Sequence, residues 1–411
     1  MRNILYISRA GLPISAAGLR IFNIGTILEN LGFDVHYLAN RRITNKELDS
    51  TYEKLDSKDS TFLDNSEHHF RIDNKIYSYL PKQKNGKIAS IKEMLELVSS
   101  QKAYKRVVSY CEKEKPYAVF LYNESYELTK KLIGYCKKNN IKLFADVTEW
   151  YEMDKNKNFA EKFVVHSTEK RITKLDHTLD GIIAISNYFE DYYKSKGANV
   201  VRIPPLMEIE KDLEIEKHEY YEDKSVLNFV YAGSPGGKDI LIPFVKALQT
   251  VNKDGIKARL DVVGIDEKYF DRFEDVDKNL KETGVVAHGR LSHEETLNVV
   301  KRADFGILFR HNKRYAKAGF STKLAECMSV GVPMMCNKIG GSDLCIEHML
   351  NGVLTETTRV DELVNVIETL MKMSKKELLD IKNNAYKYGL ESFDIGTHEC
   401  DVKKLMCDYE V

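Results

Sequence analysis

The chain has 411 residues, 62 Lys+Arg against 62 Asp+Glu, a formal net charge of zero, and 43% hydrophobic residues. That length suits two or three domains, and the balance is that of a soluble globular protein. A chain that tracks phosphate backbones carries a basic surplus, so nucleic acid is excluded as the first choice of partner, and no window approaches the roughly eighteen uninterrupted apolar residues of a membrane span. The apolar run 4–7 is too short for a signal peptide and reads as a first buried strand. Seven cysteines, an odd count with no CxxC, fit neither a disulfide framework nor a zinc site. Free thiols in a reducing cytoplasm are expected.

In chain order, strand-like apolar runs fall at 3–8, 34–39, 118–122, 141–146 and 181–185. A second series falls at 227–232, 260–264, 285–288, 304–309 and 333–336. Such runs fit parallel strands buried on both faces. Between them, Leu241, Phe244, Val245, Leu248 and Val251 keep helical spacing, as do Leu363, Val364, Ile367, Leu370 and Met371. The alternation predicts α/β layers with helices on both sheet faces. Segment 41–74 is polar and irregular and reads as a surface insertion with short structured pieces. Segment 208–224, charged and free of glycine after Pro204-Pro205, reads as a linker. The expected architecture is two Rossmann-like, doubly wound parallel-sheet domains, 1–205 and 206–393, facing a central cleft.

Ligands of such sheets collect where strands feed helix N-termini. The first such loop, Gly11-Leu12-Pro13-Ile14-Ser15-Ala16-Ala17-Gly18, lets a ligand approach the backbone at Gly18, or is an ordinary βα turn. It is not GxGxxG, so a nicotinamide enzyme is disfavoured. The second, Gly233-Ser234-Pro235-Gly236-Gly237-Lys238-Asp239, frees amides to face an anion and adds the charge of Lys238. It lacks the Gly-Lys-Ser/Thr ending of a Walker A loop, and the plainer reading is a turn with a solvated lysine.

The third stretch runs Ala318-Gly319-Phe320-Ser321-Thr322-Lys323-Leu324-Ala325-Glu326 and on to Gly331-Val332-Pro333. Ser321 or Thr322 is placed to cap a short helix that Gly331 ends. Lys323 and Glu326, three apart, share one face of it. A cation at a helix start suits a diphosphate, and a carboxylate one turn on suits a pair of sugar hydroxyls. The alternative, an exposed salt bridge, fits poorly with a helix otherwise lined by Leu324, Ala325 and Met328.

These residues resemble the nucleotide-sugar site of retaining GT-B glycosyltransferases of family 4. Lys323 through Pro333 carries the resemblance most specifically. Gly18 with the following helix and the 31–35 turn, the 179–186 strand, the 231–238 phosphate loop, and His288-Gly289-Arg290-Leu291 as a base-binding loop agree in order. The match covers nearly the whole chain and is weakest over 41–115. It implies donor contacts at Gly18, Gly233, Ser234, Gly237, Lys238, His288, Arg290, Arg310, Gly319, Phe320, Ser321, Thr322, Lys323 and Glu326. It also implies a last helix, within 394–411, packing back on the N-terminal domain. Two departures stand out. The family's first glutamate is replaced by Ala318, and its arginine beside the phosphate lysine is absent near Ser234, with Arg310 or Arg314 placed to substitute.

Transfer with retention needs a diphosphate to leave, and Lys238 and Lys323 with the loop amides would stabilise it without metal or cofactor. Asp275-Val276-Asp277 sits in an acidic run and reads as a solvated face, not a metal-binding DxD. On the acceptor side, Asp146 and Glu149 are the candidate catalytic carboxylates, with Trp150 and Tyr151 for stacking. A strand-end cap beside a core tryptophan is the competing reading. The expected function is a cytoplasmic glycosyltransferase taking a nucleotide-sugar donor and a saccharide or lipid-linked acceptor. The alternatives are a non-catalytic sugar-nucleotide-binding subunit and a sugar-nucleotide epimerase. Lysines in 82–115 could rest on the inner face of an anionic membrane, but interspersed glutamates favour a solvated helix. No oligomeric state is implied.

Overall fold

The computed structural model describes residues 2–9, 15–42, 53–55, 68–72, 75–80, 96, 98–153, 158–215 and 226–407. The loop positions 11–14, most of the expected insertion 41–74, residues 82–95 and the linker positions 216–224 lie outside them. The chain divides into two units, Met1–Leu206 with His398–Val411, and Met207–Thr397.

The first unit is built on a nine-stranded sheet. Its strands are β1 (Arg2–Ser8), β2 (Phe33–Arg42), β3 (Glu53–Leu55), β4 (His68–Ile72), β5 (Lys75–Leu80), β6 (Ala118–Tyr122), β7 (Lys142–Val147), β8 (Gly181–Ala184) and β9 (Val200–Arg202). They lie in the order β3-β4-β5-β2-β1-β6-β7-β8-β9. Only the β3–β4 and β4–β5 pairs are antiparallel. Helices α1 (Ala16–Asn30), α2 (Gln101–Glu114), α3 (Tyr126–Lys138), α4 (Phe159–Lys174) and α5 (Asn187–Lys194) connect them. Every residue of β6 and β8 is buried, so their unbroken apolar runs follow from cover on both faces. Strand order reverses between β1 and β6, the switch point of this sheet. Helix α1 lies close over β2 because Gly25 has no Cβ. One built there would sit 1.5 Å from the Tyr37 hydroxyl.

The second unit carries a six-stranded parallel sheet, β10 (Leu227–Ala232), β11 (Ala258–Val263), β12 (Val285–Gly289), β13 (Phe305–Leu308), β14 (Met334–Asn337) and β15 (Gly352–Thr355). The order is β12-β11-β10-β13-β14-β15, with the switch point between β10 and β13. Its helices are α6 (Ile242–Val251), α7 (His293–Lys301), α8 (Arg314–Ala318), α9 (Thr322–Ser329), α10 (Val360–Met371) and α11 (Lys375–Phe393). Phe229 and Tyr231 point to the face packed by Phe244, Leu248, Leu363 and Ile367. Val230 between them points to the other face, with Leu324, Met328 and Ala385. Each fully buried side chain of this size contributes about 1.5–3 kcal/mol.

The last helix, α12 (Glu399–Cys407), groups with the first unit. Glu399 accepts from Asn30 at 2.6 Å, and Asn199 and Tyr117 donate to the Leu405 and Met406 carbonyls.

Candidate functional site

In the second unit the switch point gathers charge. Beyond β10 the chain turns through Gly233–Asp239, with the Lys238 and Asp239 amides both donating to the Pro235 carbonyl at 3.1 Å. Asp239 then bridges to Arg310, which follows β13, and the Ile240 amide donates to the Phe309 carbonyl at 2.7 Å. The Asp239 carboxylate accepts from Lys323 Nζ at 2.9 Å, from Arg310 Nε at 2.8 Å and from the Tyr231 hydroxyl at 2.8 Å. Burial acts to raise the Asp239 pKa, but Lys323 and then Arg310 outweigh it and hold the carboxyl below the usual range. Burial, with Asp239 second, pushes the Tyr231 phenol up. Lys323 also stands 5.1 Å from the centroid of the Tyr231 ring.

Gly233 makes room for this lysine. Its φ is +130°, and a Cβ there would meet Lys323 Cε at 2.7 Å and Nζ at 3.1 Å. Gly233→Ala is therefore expected to cost about 1–3 kcal/mol of stability, from left-handed strain and overpacking. It should also displace the Lys323 ammonium group and, under the donor contacts expected from the sequence, weaken nucleotide binding at least roughly tenfold. Chemical denaturation and calorimetric titration of the variant check the two effects separately.

Helix α9 presents Lys323 and Glu326 from one face. Ser321 stands at its N-cap but makes no side-chain capping bond, and its amide donates instead to Ser342 Oγ at 3.1 Å. Thr322 opens the helix, and Gly331, at φ +73°, follows its end. Burial raises the Glu326 pKa, with His293 and Lys323 lowering it in part. Among the described residues no donor reaches its carboxylate. Gly319 closes α8, Phe320 packs edge-on against Phe393, and Ala318 is fully buried.

The other expected donor residues divide. Gly237 and Lys238 offer their carbonyls to the Tyr315 hydroxyl, at 3.5 and 3.2 Å. Ser234 and Arg290 line a cavity of about 780 Å³ together with Lys268, Tyr269 and Arg272. His288 lies outside that lining and pairs with Asp261 at 2.6 Å. Asp275, of the acidic triplet, pairs with Lys246 on the surface, which lowers its pKa. Among the described residues, no cluster of three His, Cys, Asp or Glu side chains is arranged to hold a metal ion.

In the first unit several of the expected residues are engaged by the fold itself. Gly18 is the third residue of α1, not part of the loop, and its amide donates to the capping Ser15 Oγ at 3.1 Å. Asp146, expected as a catalytic carboxylate, is fully buried. Arg20 Nη2 and Nε reach its Oδ1 at 2.8 and 3.0 Å, and the Tyr6 hydroxyl reaches its Oδ2 at 2.7 Å. Those oxygens are taken up by the fold, so Asp146 is an anchor between α1, β1 and β7. Trp150 is likewise a core residue. It donates to Glu169 and stacks on Phe189 at 5.8 Å between ring centroids. Glu149 and Tyr151 keep partial exposure at the end of β7.

The structure thus brings Gly233, Arg310 and Lys323 together around Asp239, a residue not anticipated from sequence. The signal was present, as a carboxylate directly following the lysine of a phosphate-type loop. Asn337 was also missed. It clamps Arg310 by accepting from its amide and donating to its carbonyl, each at 2.9 Å.

Residues 211–388 match the family described as Glycosyl transferases group 1. Among curated proteins none matches the chain. Similar solved structures span both units. Sucrose-phosphate synthase from Thermosynechococcus elongatus is 14% identical, with 98% of each chain covered and a TM-score of 0.66. A glycosyltransferase from Rickettsia africae is 14% identical, with 99% of this chain and 98% of that chain covered and a TM-score of 0.65. Anabaena HepE in complex with UDP-glucose is 15% identical, with 99% and 100% covered and a TM-score of 0.61. The second unit is thus similar to the Glycosyl transferases group 1 family over 211–388, and the chain has the two-sheet fold of the GT-B glycosyltransferases.

Proposed function

We propose that this protein transfers a sugar, with retention and without a metal, from a nucleotide-sugar to a glycan or lipid-linked saccharide. The observation that carries the reading is the pair of cations, Lys323 and Arg310, fixed at the β10/β13 switch point. As the anomeric bond breaks, negative charge grows on the leaving diphosphate, and preorganised cations lower that barrier. Lys238 and the amides of Ser234, Gly236 and Gly237 add to the same field, whereas Pro235 has no N–H and the Gly233 amide is donated to the Val263 carbonyl at 2.8 Å. Glu326, one turn beyond Lys323, accepts the two hydroxyls of a ribose, a role its donor-free carboxylate suits. On the acceptor side the role falls to Glu149, since Asp146 is engaged elsewhere. Two of the similar structures hold UDP and UDP-glucose, which supports a nucleotide-sugar partner. No described helix is long and apolar enough to cross a membrane.

A panel of UDP, GDP, ADP and dTDP with their sugar conjugates tests the reading by thermal unfolding. One base is expected to stabilise the protein by about 2.7 kcal/mol at a hundredfold excess over Kd. A flat response across the panel would remove the nucleotide-sugar reading. Ala318 favours a second reading, a binder without turnover, because no carboxylate stands at that position to hold the donor sugar. Product analysis with and without acceptor separates transfer, epimerisation and silent binding, and the anomeric configuration of the product tests retention.

A further inference from the structure

A carboxylate at the centre of an anion site needs a reason. Asp239 is 3% exposed and lies within 2.9 Å of both cations. It cannot swing aside when an anion arrives. Tyr231 holds Oδ2, and the backbone is pinned by its bridge to Arg310 and by the neighbouring Ile240–Phe309 bond. Nor does it exhaust the cations. Lys323 uses one of three donors on it, and Arg310 uses Nε, so the outer guanidinium nitrogens keep their capacity. The three side chains together present a net single positive charge, not two.

We infer that Asp239 is a permanent counterion within the phosphate site, which weakens the grip on a free nucleoside diphosphate more than the grip on its sugar conjugate. The inference rests on the reading of loop 233–239 and helix α9 as the donor's diphosphate site. A nucleoside diphosphate carries one more negative charge than the nucleotide-sugar it comes from. A fixed negative charge beside the phosphates therefore penalises product over substrate and favours release after transfer.

Calorimetric titration of the full chain with inorganic pyrophosphate, UDP and UDP-glucose tests this, comparing wild type with Asp239→Asn and Asp239→Glu. Asp239→Asn is expected to tighten pyrophosphate and UDP roughly tenfold, the effect of removing one charge a few ångströms away. UDP-glucose should gain less, so the UDP to UDP-glucose affinity ratio rises. Asp239→Glu keeps the charge and should keep the wild-type ratio. If the asparagine variant fails to fold, Asp239→Ser carries the same expectation. Equal or weaker UDP binding by a folded neutral variant, or an unchanged ratio, overturns the inference and leaves the donor-site reading intact. If wild type binds none of the three probes, that reading fails and the inference falls with it.

Discussion

Glu326→Ala is expected to lower kcat/KM for the nucleotide-sugar roughly a hundredfold, the loss of two hydrogen bonds to an ionised acceptor. Because the carboxylate acts on a part of the donor that does not react, much of the loss should appear as a raised KM. Unfolding should be spared. Burial has pushed the Glu326 pKa up, so the ionised form is disfavoured by the fold. The sign follows from linkage. Above the folded-state pKa that cost is fully present, and it fades as pH falls through that value. At neutral pH the alanine variant therefore loses no electrostatic stability. The same shift places the acid limb of nucleotide binding above the ordinary glutamate value of 4.5, since a protonated Glu326 no longer accepts both hydroxyls. A pH profile of affinity for wild type and Glu326→Gln checks this, because the glutamine variant should lose the limb. Full turnover in the alanine variant, with the limb unmoved, would take Glu326 out of the site.

The legible parts of this protein were those in which local pattern and final burial agree. The runs at 118–122 and 227–232 became β6 and β10 without adjustment, because strands covered on both faces are apolar where they are covered: all of β6 is buried, and β10 is buried apart from half-buried Asn228 and Ala232. The spacing of Phe244, Val245 and Leu248 survives as the buried face of α6. Strands β3, β4, β5, β9 and β15 were not anticipated. β9 and β15 have only three and four residues, too few to show a period. β5 is broken in pattern by Lys75 and Ser78, which are nonetheless buried. Lys75 pairs with Glu29, and Ser78 bonds His69. At the site, the spacing of Lys323 and Glu326 was readable because one helix sets it. The Asp239 cluster was not, because its two cations lie 71 and 84 residues away and meet it only through the order of the sheet. Asp146 misled for a related reason. A carboxylate at a strand end looks available until Arg20, 126 residues earlier, is folded onto it.

That pairing sets the largest stability effect expected in the molecule. Arg20 reaches Asp146 through Nε and Nη2, and its Nη1 donates to the Ile203 carbonyl at 2.9 Å and the Pro204 carbonyl at 3.2 Å. Asn23, one turn on, donates to the Leu206 carbonyl at 2.7 Å. One helix face thus fastens β7 and the segment leaving the first unit. Both charges are nearly inaccessible to water, at 3% and 0% side-chain exposure. Asp146→Ala strands a buried guanidinium and frees the Tyr6 hydroxyl, and is expected to cost about 3–5 kcal/mol. Removing both charges should cost less than removing one, because the larger penalty is the orphaned ion. Arg20→Met with Asp146→Leu is therefore expected to recover part of the loss, limited by the carbonyls that Arg20 no longer serves. The chain holds one tryptophan, and Trp150 is buried in the first unit just beyond β7. Its fluorescence reports unfolding of that unit alone, so urea titration reads the effect without interference from the second unit. A midpoint lowered by on the order of 1–2 M urea fits this account. An unshifted midpoint would mean that the carboxylate is not structural, and Asp146 would return as a candidate ligand for the acceptor.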